Sequence, residues 1–272
     1  MTKQVANTDF TDVDQSADAA HFVHHLDRIS GMAQVRAYKR RTFDLLEVKE
    51  GSSVLDVGCG TGDDARALAQ RVGTTGRVIG LDSSEALLQE ARKRAEGLGL
   101  PVEYRVGDAR RLDFPDASFD ACRIDRVLHH LDNPQAAVDE LVRVARPGAL
   151  VVMHEPDQET NLVGPADRSI TRRVMNYFCD RHPSGWVGRQ LHALARQAGL
   201  TEIAIEPDIW VWTNYEEAMR ILWLERTATD AANAGSISER EAESWLAELR
   251  QAGAAGGFFA AAGFFILSGR KV

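Results

Sequence analysis

The chain has 272 residues, 44% of them hydrophobic, and a formal charge of -8. That is enough to bury one sizeable core with appended elements, and length alone does not force two domains. The negative charge repels phosphate backbones and so disfavours nucleic acid as a partner, because the one modest basic cluster is Arg36, Lys39, Arg40 and Arg41. Met1 to Gln15 is polar and acidic, and no apolar run is long enough to span a bilayer. Cys59, Cys122 and Cys179 are too widely spaced for a metal set or a disulfide framework. A cytoplasmic protein with reduced thiols, no membrane insertion and no metal is expected.

In chain order, residues 1–47 read as a helical arm anchored by Leu26, Ile29, Val35, Phe43 and Leu46. The core is expected over 48–272. Val54 to Val57 is an apolar strand that opens into Gly58-Cys59-Gly60-Thr61-Gly62 before a helix over Asp64 to Val72. A second strand, Arg77 to Leu81, ends in Asp82 and Ser83, and a third, Val102 to Val106, ends in Gly107-Asp108-Ala109. Strand four, Phe119 to Ile124, runs into Asp125-Arg126. A helix over Pro134 to Ala145 follows, with proline at its first position, and Arg146-Pro147-Gly148 ends it before strand five, Leu150 to His154. Later strands are Glu202 to Val211 and Phe258 to Leu267. This alternation predicts an α/β fold, a doubly wound, mostly parallel sheet of seven strands. Two insertions stand outside it: residues 155–185, and residues 214–252 with two amphipathic helices. They read as substrate lids or as packing extensions.

The glycine loop carries the chemistry. Three glycines on alternate positions let backbone amides approach a nucleoside-type ligand. A dinucleotide fingerprint requires a third glycine where Asp63 stands, and no phosphate-binding Gly-x-x-x-x-Gly-Lys run is present. Three acidic residues, Asp56, Asp82 and Asp108, each fall in or beside the end of a successive strand, the edge where open α/β sheets bind ligands.

With Asp56, Gly58, Gly60 and Gly62, the chain resembles the class I S-adenosylmethionine (SAM)-dependent methyltransferases, strongly from Gly51 to Gly148. Asp113 to Asp120 and Leu128-His129-His130-Leu131 resemble the ubiquinone/menaquinone-type small-molecule enzymes within that class. The resemblance implies a Rossmann-like methyltransferase fold with an antiparallel last strand, SAM as cofactor and S-adenosylhomocysteine as product. It implies ribose binding by Asp82 and adenine binding by Asp108. Cys59, Thr61, Ser83, Gly107 and Ala109 join the implied cofactor set, Asp125 and Arg126 are expected in it as a charged pair where many relatives carry small or amide residues, and the expected acceptor is a small molecule methylated on O, N or C. Asn-Pro-Pro-Tyr is absent, and Cys122 lacks a preceding proline, which sets aside base N-methylation and cytosine-C5 methylation. A homodimer is compatible with these features.

Methyl transfer asks mainly for alignment, exclusion of water and sometimes a base. Candidates after strands four and five are His129, His130, His154, Glu155 and Asp157. His154 and His130 are the expected catalytic groups, with orientation or packing as the alternative. Glu155 and Asp157 suit a cationic or hydroxylated substrate, or are solvated loop residues. Trp186 and Arg189 suit stacking and carboxylate binding, or a surface ion pair. Tyr177, Phe178, Trp210, Trp212 and Trp223 line an apolar cavity or fill the core. Two other functions stay open on the sequence: a non-methylating reaction such as cyclisation, and a non-catalytic SAM-binding module.

Overall fold

The computed structural model describes residues 10–15 and 19–272, so residues 1–9 and 16–18 of the expected arm lie outside it. The described residues form one sheet of eight strands: β1 (Ser53–Val57), β2 (Arg77–Asp82), β3 (Val102–Val106), β4 (Phe119–Asp125), β5 (Ala145–Pro156), β6 (Leu162–Gly164), β7 (Leu200–Trp212) and β8 (Phe259–Lys271). The order runs β3-β2-β1-β4-β5-β8, with β6 and β7 also on β8. Strands β1 to β5 pair in parallel, and β8 is antiparallel to β5, β6 and β7. The fold is the Rossmann-like one expected, with one strand more. Strand β6 is three residues long, too short to show a period, and exists because β8 extends past β5 and offers it a free edge.

The parallel strands β1 and β2 and the middle of β5 are mainly apolar because both faces are covered, whereas the edge strand β3 carries Glu103 and Arg105 and buries only Tyr104. Val54, Val78, Ala121 and Val152 point into one core, while Leu55, Ile79, Cys122 and Val151 point into the other. Helices α3 (Asp63–Val72) and α4 (Glu85–Ala95) cover the first face, and α5 (Pro134–Val144) and α7 (Val187–Gln197) the second. Helix starts follow local capping: Ser84 accepts from Leu87 N–H, and Asn133 accepts from Ala136 N–H ahead of Pro134.

The arm contributes α1 (Ala19–Ser30) and α2 (Ala33–Leu45), and the first insertion contributes α6 (Arg168–Asp180). The second insertion holds three helices rather than two: α8 (Tyr215–Ile221), α9 (Leu224–Asn233) and α10 (Glu239–Ala254). The break between α8 and α9 is at Trp223, whose φ of 52° is left-handed. No glycine or proline marks it. Among the described residues the three cysteines are free and buried, and no helix is long and apolar enough to cross a membrane.

Candidate cofactor and acceptor site

A cavity of about 860 Å³ opens at the carboxyl ends of β1 to β4. Its first half is walled by Gly58, Gly60, Asp82, Ser83, Gly107, Asp108, Ala109, Asp125 and Arg126, so nine of the expected cofactor residues come together there. The Asp82 carboxylate accepts from Gly60 N–H (2.8 Å) and Ser84 N–H (3.0 Å), which ties the end of β2 to the glycine loop. Burial raises its pKa. Asp108 holds Arg110 through Nε (3.0 Å) and Nη2 (2.9 Å), and Leu81, Leu87 and Val106 give this end an apolar floor.

Four expected cofactor residues are not on the cavity wall. Cys59 and Thr61 are buried beneath the loop. Gly62 stands at the start of α3 with φ 75°, and any Cβ there would collide with the Tyr104 ring. Asp56 is buried against Arg123 (2.8 Å), and burial lifts its pKa to about 6 despite that cation. The reason for glycine at 58 also differs from the expected one. Its φ is 72°, and a Cβ would run into Val127, so neighbouring protein, ahead of any ligand, excludes a side chain. At Gly60 a Cβ would come within 3.2 Å of Leu26, on the arm.

Arg123 is the hub beneath this wall. Its guanidinium also reaches Asp64 (3.0 Å) and Asp125 (2.6 Å), and its Nε donates to Thr42 (3.2 Å). Burial opposes charge on Asp125, but Arg123, His154 and Arg126 outweigh it and hold the carboxyl well below the usual range. Tyr38 adds a hydroxyl donor at 3.0 Å. Three of the four cations of the Arg36 to Arg41 cluster are spent elsewhere: Arg36 on the Gly31 carbonyl, Lys39 on Asp64 (2.8 Å), Arg41 on Glu206 (2.8 Å).

The second half of the cavity is aromatic. Phe178, Trp210, Trp212, Trp223 and Phe264 line it together with His129, His130, His182, Gln158, Asn161 and Arg181. Tyr177 packs against the core instead. From the arm come His25, Leu26 and Ile29, and Trp223 Nε1 donates to His25 Nδ1 (3.2 Å), joining the arm to the second insertion. The contributions of His25, His182, Gln158 and Asn161 carry no motif in the sequence.

His154 does not reach this space. Its side chain is 0% exposed, stacked between Tyr38 (4.0 Å) and Phe264 (5.2 Å), with Nδ1 on Asp125 (2.8 Å) and Nε2 on Asp208 (3.0 Å). Burial disfavours its charged form, yet the two carboxylates raise its pKa overall. Both nitrogens are committed to the fold, which corrects its expected place at the mouth. Glu155 is equally buried and faces the backbone of 127–129 rather than the cavity. Arg189 lies outside the cavity, paired with Asp157 (2.8 Å) and Glu159 (2.8 Å) and set 4.8 Å over the Trp186 ring, itself 48% exposed. Trp186 and Arg189 therefore sit at the surface, over the buried Asp157 carboxylate.

Residues 54–148 match a family described as a methyltransferase domain. Over 246 residues the chain is 37% identical to an uncharacterized 37.1 kDa protein of transposon TN4556 from Streptomyces fradiae, covering 90% of this chain and 70% of that one. The chain belongs to the class I SAM-dependent methyltransferases. Over 126 residues it is also 39% identical to demethylmenaquinone methyltransferase of Bacillus cereus, 46% of this chain and 53% of that protein, so it spans about half the length of that relative. The structure of Haemonchus contortus phosphoethanolamine N-methyltransferase 2 with SAM has the same fold, with a TM-score of 0.61 at 20% identity over 100% of this chain and 61% of that one. A methyltransferase domain of this class takes its methyl group from SAM.

Proposed function

We propose that this methyltransferase modifies a small, planar, largely apolar acceptor held in the aromatic half of the cavity. One observation carries the reading: a single continuous cavity joins a wall of glycines and carboxylates to a wall of indole and phenyl rings. Rings of this kind favour a flat apolar partner, since stacked aromatic pairs contribute about 0.5–1.5 kcal/mol beyond area burial. The demethylmenaquinone methyltransferase relative is named for an acceptor of a comparable kind.

The first half suits SAM. Asp82 keeps a lone-pair site on each oxygen beyond its two backbone bonds, enough for two ribose hydroxyls. Asp108 takes the adenine amino group beside the floor of Leu81, Leu87 and Val106. Arg126 supplies the cation for the methionine carboxylate: its backbone is left-handed (φ 55°), its Nε forms an ion pair with Asp125 Oδ1 at 3.5 Å without making a hydrogen bond, and its guanidinium lies 5.8 Å over the Trp210 ring. Bound SAM supplies an electrophilic methyl. The chain's own residues align the acceptor and exclude water, and the arm and second insertion close the cavity through Trp223 and His25.

The test is incubation of the full chain with methyl-labelled SAM and a panel of hydroxylated aromatic and aliphatic acceptors, followed by product mass. Label should pass to aromatic acceptors, adding the mass of one CH2. Transfer confined to aliphatic or strongly charged acceptors would refute the acceptor class, and conversion without added mass would point to cyclisation chemistry.

A further inference from the structure

The geometry points to His129 and Glu155 as a pair that takes a proton from the acceptor, and therefore to an acceptor with an ionisable hydroxyl, of phenol or enol type. This rests on the reading that the aromatic half of the cavity holds the acceptor. Glu155, at the end of β5, is 0% exposed. Its Oε1 accepts from the N–H groups of Val127 and Leu128, both at 2.7 Å, and its Oε2 accepts from His129 N–H (3.3 Å) and faces His129 Nδ1 at 2.9 Å.

Burial pushes the Glu155 carboxyl up to about 7 against the pull of the Leu128 and Val127 N–H groups, and above that pH the three backbone donors meet a carboxylate, which can only accept from the histidine. Nδ1 is then the protonated ring nitrogen, and the basic lone pair belongs to Nε2. The ring is fixed from its backbone as well, since the His129 carbonyl accepts from Ser184 N–H (3.1 Å). His129 stands on the cavity wall, whereas His154 is stacked out of reach. The titratable groups around the pair are His130 and His182, with ring centroids 3.8 and 5.6 Å from that of His129, and Asp125 and His154 beside Glu155.

In the reaction the acceptor O–H bond breaks and its proton moves to His129 Nε2. The oxygen's electron pair forms the new O–C bond to the methyl carbon, while the C–S pair stays on sulfur as a thioether. The imidazolium so formed lies against the Glu155 carboxylate and later returns its proton to water. A tertiary amine or thioether acceptor has no proton to give and would leave the pair without a task.

Nitrogen-15 NMR of histidine-labelled full-length protein reads the pair directly, with His129→Asn providing the assignment. The Nδ1–H tautomer is expected at His129, with loss of that preference in Glu155→Gln. An Nε2–H tautomer in the unaltered protein overturns the pair, whether or not Glu155→Gln folds. A second readout uses 4-nitrophenol with S-adenosylhomocysteine, since the phenolate is coloured and the phenol is not. Bound to the unaltered protein, its apparent pKa should fall by about one unit, a tenfold shift in ionisation, and His129→Asn should restore the solution value. Equal ionisation in both proteins overturns the proton transfer. Failure of the probe to bind either protein counts against the aromatic acceptor, while the tautomer still decides the pair.

Discussion

Replacing Arg123 by methionine tests the electrostatic floor of the site. The guanidinium meets Asp56 (2.8 Å), Asp64 (3.0 Å) and Asp125 (2.6 Å) at 2% exposure. The three carboxylates would not suffer equally. Asp64 keeps Lys39 (2.8 Å), and Asp125 keeps Tyr38 (3.0 Å) and His154 (2.8 Å). Asp56 keeps nothing, because its Oδ1 bonds Arg123 and its Oδ2 has no partner. Stranding a buried charge in this way costs about 3–5 kcal/mol while it stays ionised, to be read by urea unfolding at about pH 9, because nearer neutrality Asp56 escapes the cost by taking up a proton. Adding Asp56→Asn removes the stranded charge and should recover about 0.5–3 kcal/mol. The pH dependence has a definite sign. Burial already places Asp56 at about 6, and without Arg123 its folded value rises further above the unfolded one. The folded variant then binds the extra proton, so its deficit is full above the folded pKa and shrinks as pH falls through it. A loss below about 1 kcal/mol, or a deficit that grows on acidification, would refute the claim that Arg123 compensates Asp56.

Asp82→Ala should weaken SAM binding about 10- to 100-fold in calorimetry, with the fold retained, and an unchanged affinity would remove Asp82 from the ribose site. Gly58→Ala should cost about 1–3 kcal/mol in thermal unfolding, and Val127→Ala in the same chain should recover only the steric part, leaving the left-handed strain. His154→Phe should change the pH profile of stability. The raised His154 pKa means that its contribution is complete below the unfolded value and is lost as pH rises through the folded one, so the variant's melts should lack that slope. Trp223→Ala breaks the bond to His25, and limited proteolysis within α1 should quicken and respond less to added SAM than in the unaltered protein.

The glycine loop, the places of Asp82 and Asp108 on the cavity wall and strands β1 to β5 were legible because each depends on residues next to it in the chain: short apolar runs, left-handed turns at glycine and acids at strand ends. Neighbours in sequence are neighbours in space there, so a motif states its own geometry. His154, Glu155 and Arg189 were not legible in this way. His154 binds Asp125 and Asp208, 29 and 54 positions away, and Glu155 captures the backbone 26 to 28 positions before it. Both sit at the strand edge where a catalytic group belongs, and only the approach of distant partners turns them inward. The third helix of the second insertion was missed because the left-handed backbone at its break is held by Trp223, a residue with no turn signal. Local backbone preference is encoded along the chain, whereas the partners that satisfy a buried charge are chosen by the sheet order, and that order exists only once the chain has packed.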